Sequence, residues 1–169
     1  MACEAVDVLD VLTLLERAEV AVALDGGWGV DALLGEQFRD HDDVDLLVDE
    51  AEVDRVIALL EGVGFVVQAD ERPSRVALTD RWDRSVDLHP LSTGPDGVRR
   101  RQRGGADGSD LAYPADQLTT GFVGGRPVRC IDAHLQVAHH AGYPLGRRDL
   151  ADLERLRDRF GVSLPDGYW

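Results

Sequence analysis

Two aspartates separated by one residue lie in an otherwise apolar run, Asp43-Val44-Asp45-Leu46-Leu47-Val48. The run is typical of a buried strand. Side chains two apart on a strand point to the same side, so Asp43 and Asp45 are expected next to each other. Two adjacent carboxylates that are both ionised favour a hard divalent cation with a preference for oxygen, most of all Mg²⁺. The motif therefore predicts a metal site.

A third acid, Asp87, interrupts the apolar alternation of Ser85-Val86-Asp87-Leu88-His89. A neighbouring strand could bring it beside Asp43 and Asp45. Two metal ions about 4 Å apart need shared carboxylates and a group near the attacking hydroxyl. We therefore predict a carboxylate triad that holds two Mg²⁺ ions. An acid at the border of a sheet can also serve only to discourage strand pairing, and that alternative stays open for Asp87.

A pair of glycines, Gly26-Gly27, follows the apolar run at residues 20–24 and precedes a short helical pattern at 28–34. Glycines let a ligand approach the backbone closely, and the amides at the start of a helix bind phosphate oxygens. The turn therefore predicts a site for a triphosphate beside the metal site. Trp28 belongs to this nucleotide-binding turn, although its large side chain favours packing against the sheet over stacking on a base.

The periodicity of apolar residues predicts the elements that position these side chains. Strands and helices alternate in the first half, which indicates an α/β (α+β) fold with a mixed sheet and C-terminal helices. We expect a single domain over 1–169, with its core at about 20–131 and a helical part at about 132–169. The segment 92–110 is rich in Gly, Arg, Asp and Ser and is predicted to be a loop that could order over a ligand. Helices are predicted at 4–17, 28–34, 52–63, 132–140 and 148–160, strands at 20–24, 43–48, 65–68, 75–78 and 85–88, and a hairpin at 122–128.

The composition restricts the partners. Of 169 residues, 18 are Lys or Arg and 32 are Asp or Glu, a net charge of −14. An acidic field repels phosphate backbones, so a nucleic acid is not the expected acceptor, and a cationic partner is favoured. Two cysteines form no disulfide framework, and neither an export signal nor a run of about 20 apolar residues is present in the sequence. We expect a cytoplasmic protein that does not enter a membrane.

The motifs together resemble a known family. The string from Leu24 to Gly35, LDGGWGVDALLG, followed by RDHDDVD at 39–45, resembles the nucleotidyltransferase superfamily typified by DNA polymerase beta. More narrowly, it looks like the aminoglycoside 2″-adenylyltransferase and lincosamide nucleotidyltransferase group. Asp87-Leu88-His89-Pro90 and the later Gly142-Tyr143, Asp149 and Asp152 are similar to that group's pattern as well. The resemblance covers roughly residues 20–156.

The resemblance implies a role for each motif. Asp43 and Asp45 would hold both Mg²⁺ ions, and Asp87 would hold the catalytic ion and help to deprotonate the acceptor. Gly26 and Gly27 would bind the triphosphate of an NTP, with ATP the expected donor. An acceptor hydroxyl would attack the α-phosphorus in line and release pyrophosphate. Arg39 would contact phosphate or pin its loop, and substrate or supporting contacts would come from Asp31, His41, His89, Tyr143 and Asp149.

The acceptor implied by the resemblance is a small, polyhydroxylated, cationic antibiotic-like molecule. An aminoglycoside-like amino sugar fits the acidic excess best, and a lincosamide fits the family nearly as well. Two alternatives stay open: a protein-modifying nucleotidyltransferase of toxin–antitoxin type, and a catalytically silent nucleotide- or ligand-binding homologue. His134, His139 and His140 are expected to be packing residues. The chain is expected to act as a monomer or a homodimer.

Overall fold

The computed structural model describes residues 3–102, 110–140 and 144–164. Helices and strands alternate through the first half of the chain, as their apolar periodicity predicts. The helices are α1 (Ala5–Arg17), α2 (Gly26–Leu34), α3 (Val53–Glu61), α4 (Ala133–His139) and α5 (Arg147–Phe160). The strands are β1 (Val22–Leu24), β2 (Asp43–Asp49), β3 (Phe65–Glu71), β4 (Arg75–Asp80), β5 (Ser85–Thr93), β6 (Arg99–Arg101), β7 (Leu111–Tyr113), β8 (Leu118–Val123) and β9 (Arg126–Ile131).

The strands form one mixed sheet in the order β3-β4-β5-β2-β1-β9-β8, with β6 and β7 attached to the far end of β5. The pairs β2–β5 and β1–β9 are parallel, and the other pairs are antiparallel. The parallel pair β2–β5 sits at the centre of the sheet. Its position matters for function because it carries all three candidate metal-binding acids. The predicted mixed α/β class is confirmed.

Three apolar clusters hold these elements together. In the largest, buried side chains of α1 and α3, such as Leu15 and Leu60, pack with inward-facing residues of the sheet, such as Leu46. A smaller cluster on the other side joins Leu47 of β2 to Tyr113 of β7. In the third, α2 contacts α4 and α5. The helix that begins at the glycine pair is therefore packed on both the sheet and the C-terminal helices. Among the described residues, no helix is long and apolar enough to cross a bilayer.

The structure corrects the sequence predictions in two places. The segment predicted as a loop over 92–110 contains the end of β5, all of β6 and a turn between them, because Arg99 and Arg100 pair with the end of β5 and the three residues of β6 pair with β7. Residues 103–109 lie outside the described part. Helix α2 begins at Gly26 instead of Trp28, because the Asp25 carboxylate accepts a hydrogen bond from the Gly26 amide and caps the helix there.

Candidate active site

The structure brings the three predicted acids to one side of the sheet. Strands β2 and β5 run parallel with Asp45 directly opposite Asp87, and Asp43 opposite Ser85. Asp43 precedes Asp45 by two residues and therefore points to the same side. Neither strand alone could form this cluster. The register of the parallel pair is what joins Asp87 to the Asp-Val-Asp motif.

The cluster carries an excess of negative charge. Burial, with repulsion from Asp45 and Asp87, raises the pKa of Asp43 to about 6. Burial and the Asp45 carboxylate also raise the pKa of Asp87, against the opposing effect of Arg75. Both shifts mean that the ionised forms are destabilised in the metal-free protein. A bound cation would relieve this repulsion.

Two side chains bind the acids directly. His89 Nε2 donates to Asp45 Oδ1 at 2.6 Å, and Arg75 of β4 donates to Asp87 Oδ2 at 3.0 Å. Within the described part of the chain, no group of three or more His, Cys, Asp or Glu side chains is already spaced to hold a metal ion. The three carboxylates nevertheless fit Mg²⁺ by their chemistry, because they are all oxygen donors and repel one another without a cation. His89, predicted to make a substrate or supporting contact, binds Asp45 and also lines the cleft.

The glycine turn lies directly against this cluster. Gly26 has a φ of +57°, and a Cβ at this position would collide with the Asp45 carboxylate. A Cβ on Gly27 would lie 2.5 Å from Arg39 Nη2. The turn therefore needs glycine for close approach at both positions. The Gly26 amide is already bound to Asp25 Oδ1 (2.8 Å), so the first-turn amides of Gly27 and Trp28 are the ones left for phosphate.

Trp28 is a packing residue and not a nucleotide platform. Its side chain is buried in the main core cluster, as its size predicts, so only its backbone amide is left to face a nucleotide. Its ring lies against His41, with centroids 4.7 Å apart. His41 Nε2 in turn donates to Asp31 Oδ2 at 2.5 Å, and both side chains are 2% exposed. Asp31 and His41 therefore form a buried support beneath the turn, and His41 also lines the cleft.

Arg39 is anchored by the C-terminal helix. Its Nε and Nη2 donate to Asp152 of α5 at distances from 2.7 to 3.2 Å, and the Asp152 side chain is 3% exposed. The Asp152 carboxylate is therefore committed to this ion pair and does not belong to a solvated face of α5. Asp149 lines the cleft and also accepts from the Gly146 amide at the start of α5 (2.8 Å). Tyr143 lies outside the described residues.

These parts surround an open cleft of about 380 Å³. Asp43 and Asp45 form part of its wall, whereas Asp87 is buried just outside it. His139 and His140, predicted as packing residues only, line the cleft as well, because α4 faces the turn. The other lining residues are Asp25, Gly26, Gly27, Arg39, His41, Asp42, His89, Arg101, Leu111, Gln136, Arg148, Asp149 and Asp152.

The side chains that hold the glycine turn from behind were not predicted from the sequence. The buried Tyr113 hydroxyl donates to Asp25 Oδ2 at 3.0 Å, and Gln136 Nε2 donates to the Gly26 carbonyl at 3.4 Å. These partners lie 88 and 110 residues from the turn in the chain, so no local sequence pattern predicts these contacts. The cap itself did have a signal, since Asp immediately before a helix is a preferred N-cap residue.

The chain is similar in sequence to proteins of a known family. The profile of the aminoglycoside-2″-adenylyltransferase family matches residues 7–156. A lincosamide resistance protein of Staphylococcus haemolyticus is 32% identical over 147 residues, which is 87% of this chain and 90% of the relative.

Solved structures show the same arrangement of elements. The crystal structure of the lincosamide antibiotic adenylyltransferase LnuA, lincomycin-bound, is 30% identical with a TM-score of 0.81, over 93% of this chain and 98% of LnuA. The crystal structure of ANT(2″)-Ia in complex with adenylyl-2″-tobramycin is 20% identical with a TM-score of 0.70, over 91% of this chain and 87% of that one. At this lower identity the likeness concerns the fold.

Proposed function

The chain belongs to the aminoglycoside-2″-adenylyltransferase family and is a nucleotidyltransferase, and we propose that it transfers the nucleoside monophosphate of ATP to a hydroxyl group of a lincosamide-type antibiotic. The observation that carries this proposal is the Asp43–Asp45 pair in the wall of a cleft that also contains the Gly26-Gly27 turn. The modified antibiotic would lose the fit on which its action depends. The proposed role is antibiotic resistance.

The nucleotide end of the cleft is the glycine turn. The first-turn amides of Gly27 and Trp28 are placed to bind phosphate oxygens at the positive end of α2. Arg39 lies against Gly27 and is held rigidly by Asp152, so its guanidinium adds a fixed positive charge beside the phosphates. These groups would orient the α-phosphorus toward the acids of β2.

The reacting end is the acidic cluster. Asp43, Asp45 and Asp87 would hold two Mg²⁺ ions, which when bound neutralise the triphosphate and favour the ionised acceptor hydroxyl. His89 fixes the orientation of Asp45, and Arg75 fixes that of Asp87. The acceptor oxygen forms a bond to the α-phosphorus, the bond to the β-phosphate oxygen breaks, and pyrophosphate leaves. Asp87 would help to take the hydroxyl proton.

The charges at the acceptor end favour a lincosamide over an aminoglycoside. Apart from the metal-binding acids, Asp152 is paired with Arg39, and Asp42 with Arg148 at 2.7 Å. Asp149 is engaged at the start of α5. An aminoglycoside carries several ammonium groups and needs several uncommitted carboxylates, whereas a lincosamide carries a single basic amine. This reverses the preference drawn from net charge, because most acids of the cleft already have partners. The lincosamide relatives support the same choice.

The proposal is tested by mass spectrometry of reactions that contain purified protein, Mg²⁺, one of the four nucleoside triphosphates, and lincomycin, clindamycin, tobramycin or kanamycin. We expect an AMP adduct of the lincosamides and release of pyrophosphate. Asp43→Asn should abolish the adduct. Asp49→Asn is the matched control, because Asp49 lies on the same strand, is exposed, and caps a turn that Asn can also cap.

Each outcome separates the alternatives. An adduct of tobramycin or kanamycin without one of lincomycin would overturn the lincosamide assignment and leave the transfer chemistry intact. An adduct that persists in Asp43→Asn would overturn the metal site. Labelling of a protein from [α-³²P]ATP, with no small-molecule adduct, would move the function to a protein acceptor.

A further inference from the structure

Three arginines line the cleft, and only one of them lacks an acidic partner among the described residues. Arg39 is paired with Asp152, and Arg148 with Asp42. Arg101 forms no ion pair with any carboxylate in the described part of the chain. The hydrogen bond that its Nε donates to the Ser74 carbonyl is long, at 3.4 Å. Arg101 is therefore the cleft cation whose charge the described carboxylates leave unmatched.

The ribbon of β6 and β7 places Arg101 on the nucleotide side of the cleft. Arg101 is directly opposite Leu111 in this ribbon, and both residues line the cleft with Gly26 and Gly27. Two residues after Leu111, the Tyr113 hydroxyl binds the Asp25 carboxylate that caps α2. Burial and Asp25 raise the pKa of Tyr113, and the nearby Arg101 opposes that rise. Arg101, Tyr113 and the turn thus form one connected group.

The negative charge of the nucleotide co-substrate explains why such a cation is needed. A triphosphate brings several negative charges into a cleft that already contains Asp43 and Asp45, in a chain of net charge −14. The donors of Arg39 are largely occupied, since Nε and Nη2 bind Asp152 and Nη1 binds the Asp40 carbonyl. A guanidinium with donors to spare matches phosphate oxygens in charge and in geometry.

We propose that Arg101 binds the triphosphate of the nucleotide co-substrate, opposite the Gly26-Gly27 turn, and so completes the phosphate site with a residue from the β6–β7 ribbon. This inference rests on the proposed function. It assigns a use to Arg101, whose positive charge stands out in an otherwise acidic chain.

The test compares Arg101→Ala, Arg101→Lys and Arg99→Ala. Arg99 lies two residues earlier on the same strand and lines a separate hollow with Leu47 and Leu91, so its removal changes the net charge equally without touching the cleft. Binding of ATP and of inorganic tripolyphosphate, each with Mg²⁺, is measured by isothermal calorimetry, and KM for ATP and for lincomycin by steady-state kinetics. Thermal melting verifies that each variant is folded.

We expect Arg101→Ala to raise Kd for ATP and for tripolyphosphate by about tenfold to a hundredfold, the loss that one charge-assisted hydrogen bond represents. KM for ATP should rise in parallel while KM for lincomycin is unchanged. Arg101→Lys should fall between, since it keeps the charge and loses the planar fork. Arg99→Ala should stay within about twofold of the wild type, as expected for a charge outside the site.

The measurements distinguish a failure of the proposed function from a failure of the role of Arg101. If the wild-type protein binds neither ATP nor tripolyphosphate, the proposed function itself is overturned. If the wild type binds both and Arg101→Ala behaves as Arg99→Ala does, only the role of Arg101 is overturned. The same holds if Arg101→Ala weakens ATP and leaves tripolyphosphate unaffected, because the contact would then be to the nucleoside.

Discussion

The pKa of Asp43 is raised because its carboxylate is partly buried and has two further acids beside it. Its pKa of about 6 in the folded chain compares with an ordinary value of 3.8. The folded protein thus holds this proton more tightly than the unfolded chain does. Ionisation of Asp43 therefore lowers the free energy of unfolding of the metal-free protein, which is the reverse of what an ion-paired acid does.

The first prediction concerns pH. The contribution of Asp43 to stability is complete below about pH 4 and is lost as the pH rises through about 6. In EDTA, Asp43→Asn should be more stable than the wild type by about 2 kcal/mol near pH 8, a figure reduced for solvent screening because Asp43 is only partly buried, and nearly equal to it near pH 4. Urea unfolding at both pH values measures the difference. Asp49→Asn serves as the control, and an equal gain at both pH values would contradict the electrostatic explanation.

The second prediction concerns close approach at the turn. Gly26→Ala should cost about 1 kcal/mol of stability through its positive φ and should lower kcat/KM by about a hundredfold, because the new methyl displaces Asp45. Gly35→Ala is matched in strain, with a φ of +81° and no heavy atom within 4 Å of the added Cβ. It should lose similar stability and keep its activity. Equal activity losses would show that backbone strain alone matters.

At the scale of elements, the candidate active site is assembled from parts that are far apart in the chain. The strand pair β2–β5 supplies the acids, α2 supplies the amides, and α5 holds Arg39 through Asp152. The C-terminal helix therefore fixes a cation beside the Gly26-Gly27 turn. A substitution that disturbs the packing of α5 should weaken nucleotide binding as well as acceptor binding.

The third prediction tests this connection. Asp152→Asn should lower the free energy of unfolding by about 2 kcal/mol, since it leaves a largely buried guanidinium without its charge partner. It should also raise Kd for ATP, because Arg39 loses its fixed position. Asp158→Asn, at the exposed end of the same helix, should change stability by less than about 0.5 kcal/mol. Urea unfolding and calorimetry measure both effects. Unchanged ATP binding in a destabilised Asp152→Asn would limit α5 to a structural role.

At the scale of the whole molecule, the net charge of −14 sets a field that acts on stability and on ligands together. Local ion pairs such as Arg84–Asp80 offset part of the repulsion, but the excess of acids is spread over the chain. Self-repulsion of this kind weakens the compact state, and dissolved salt screens it. The positive charges that do face the cleft, those of Arg39, Arg101 and Arg148, become correspondingly important for an anionic nucleotide.

The fourth prediction is that salt stabilises the protein. Raising NaCl from about 0.02 M to about 0.5 M near pH 8 should raise Tm by about 3 °C, the shift that roughly 1 kcal/mol represents for a chain of this size. The same change at about pH 4.6, the isoelectric point, should have little effect. Differential scanning fluorimetry measures both. A fall of Tm with salt near pH 8 would mean that specific ion pairs outweigh the general repulsion.

The sequence was sufficient where function depends on local patterns. The Gly26-Gly27 turn and Asp43-Val44-Asp45 lie within or beside the elements that present them, so residue type and spacing predicted the acid pair, the turn and the mixed sheet. The resemblance of these motifs to a known family then predicted a nucleotidyltransferase. Asp87 could be proposed because it interrupts an apolar strand. Helix boundaries were also close, since apolar periodicity and capping residues are local signals.

Only the tertiary structure decided which side chains meet. Pairing of Asp152 with Arg39, of Tyr113 with Asp25 and of Arg75 with Asp87 depends on strand register and helix packing. The position of Arg101 in the cleft also depends on strand pairing, because β6 lies in a segment whose composition predicted a loop. The physical reason is that a short strand with little apolar character is stabilised by its neighbours and not by its own sequence. The sequence determined the chemistry of the site, and long-range packing determined how its charges are balanced.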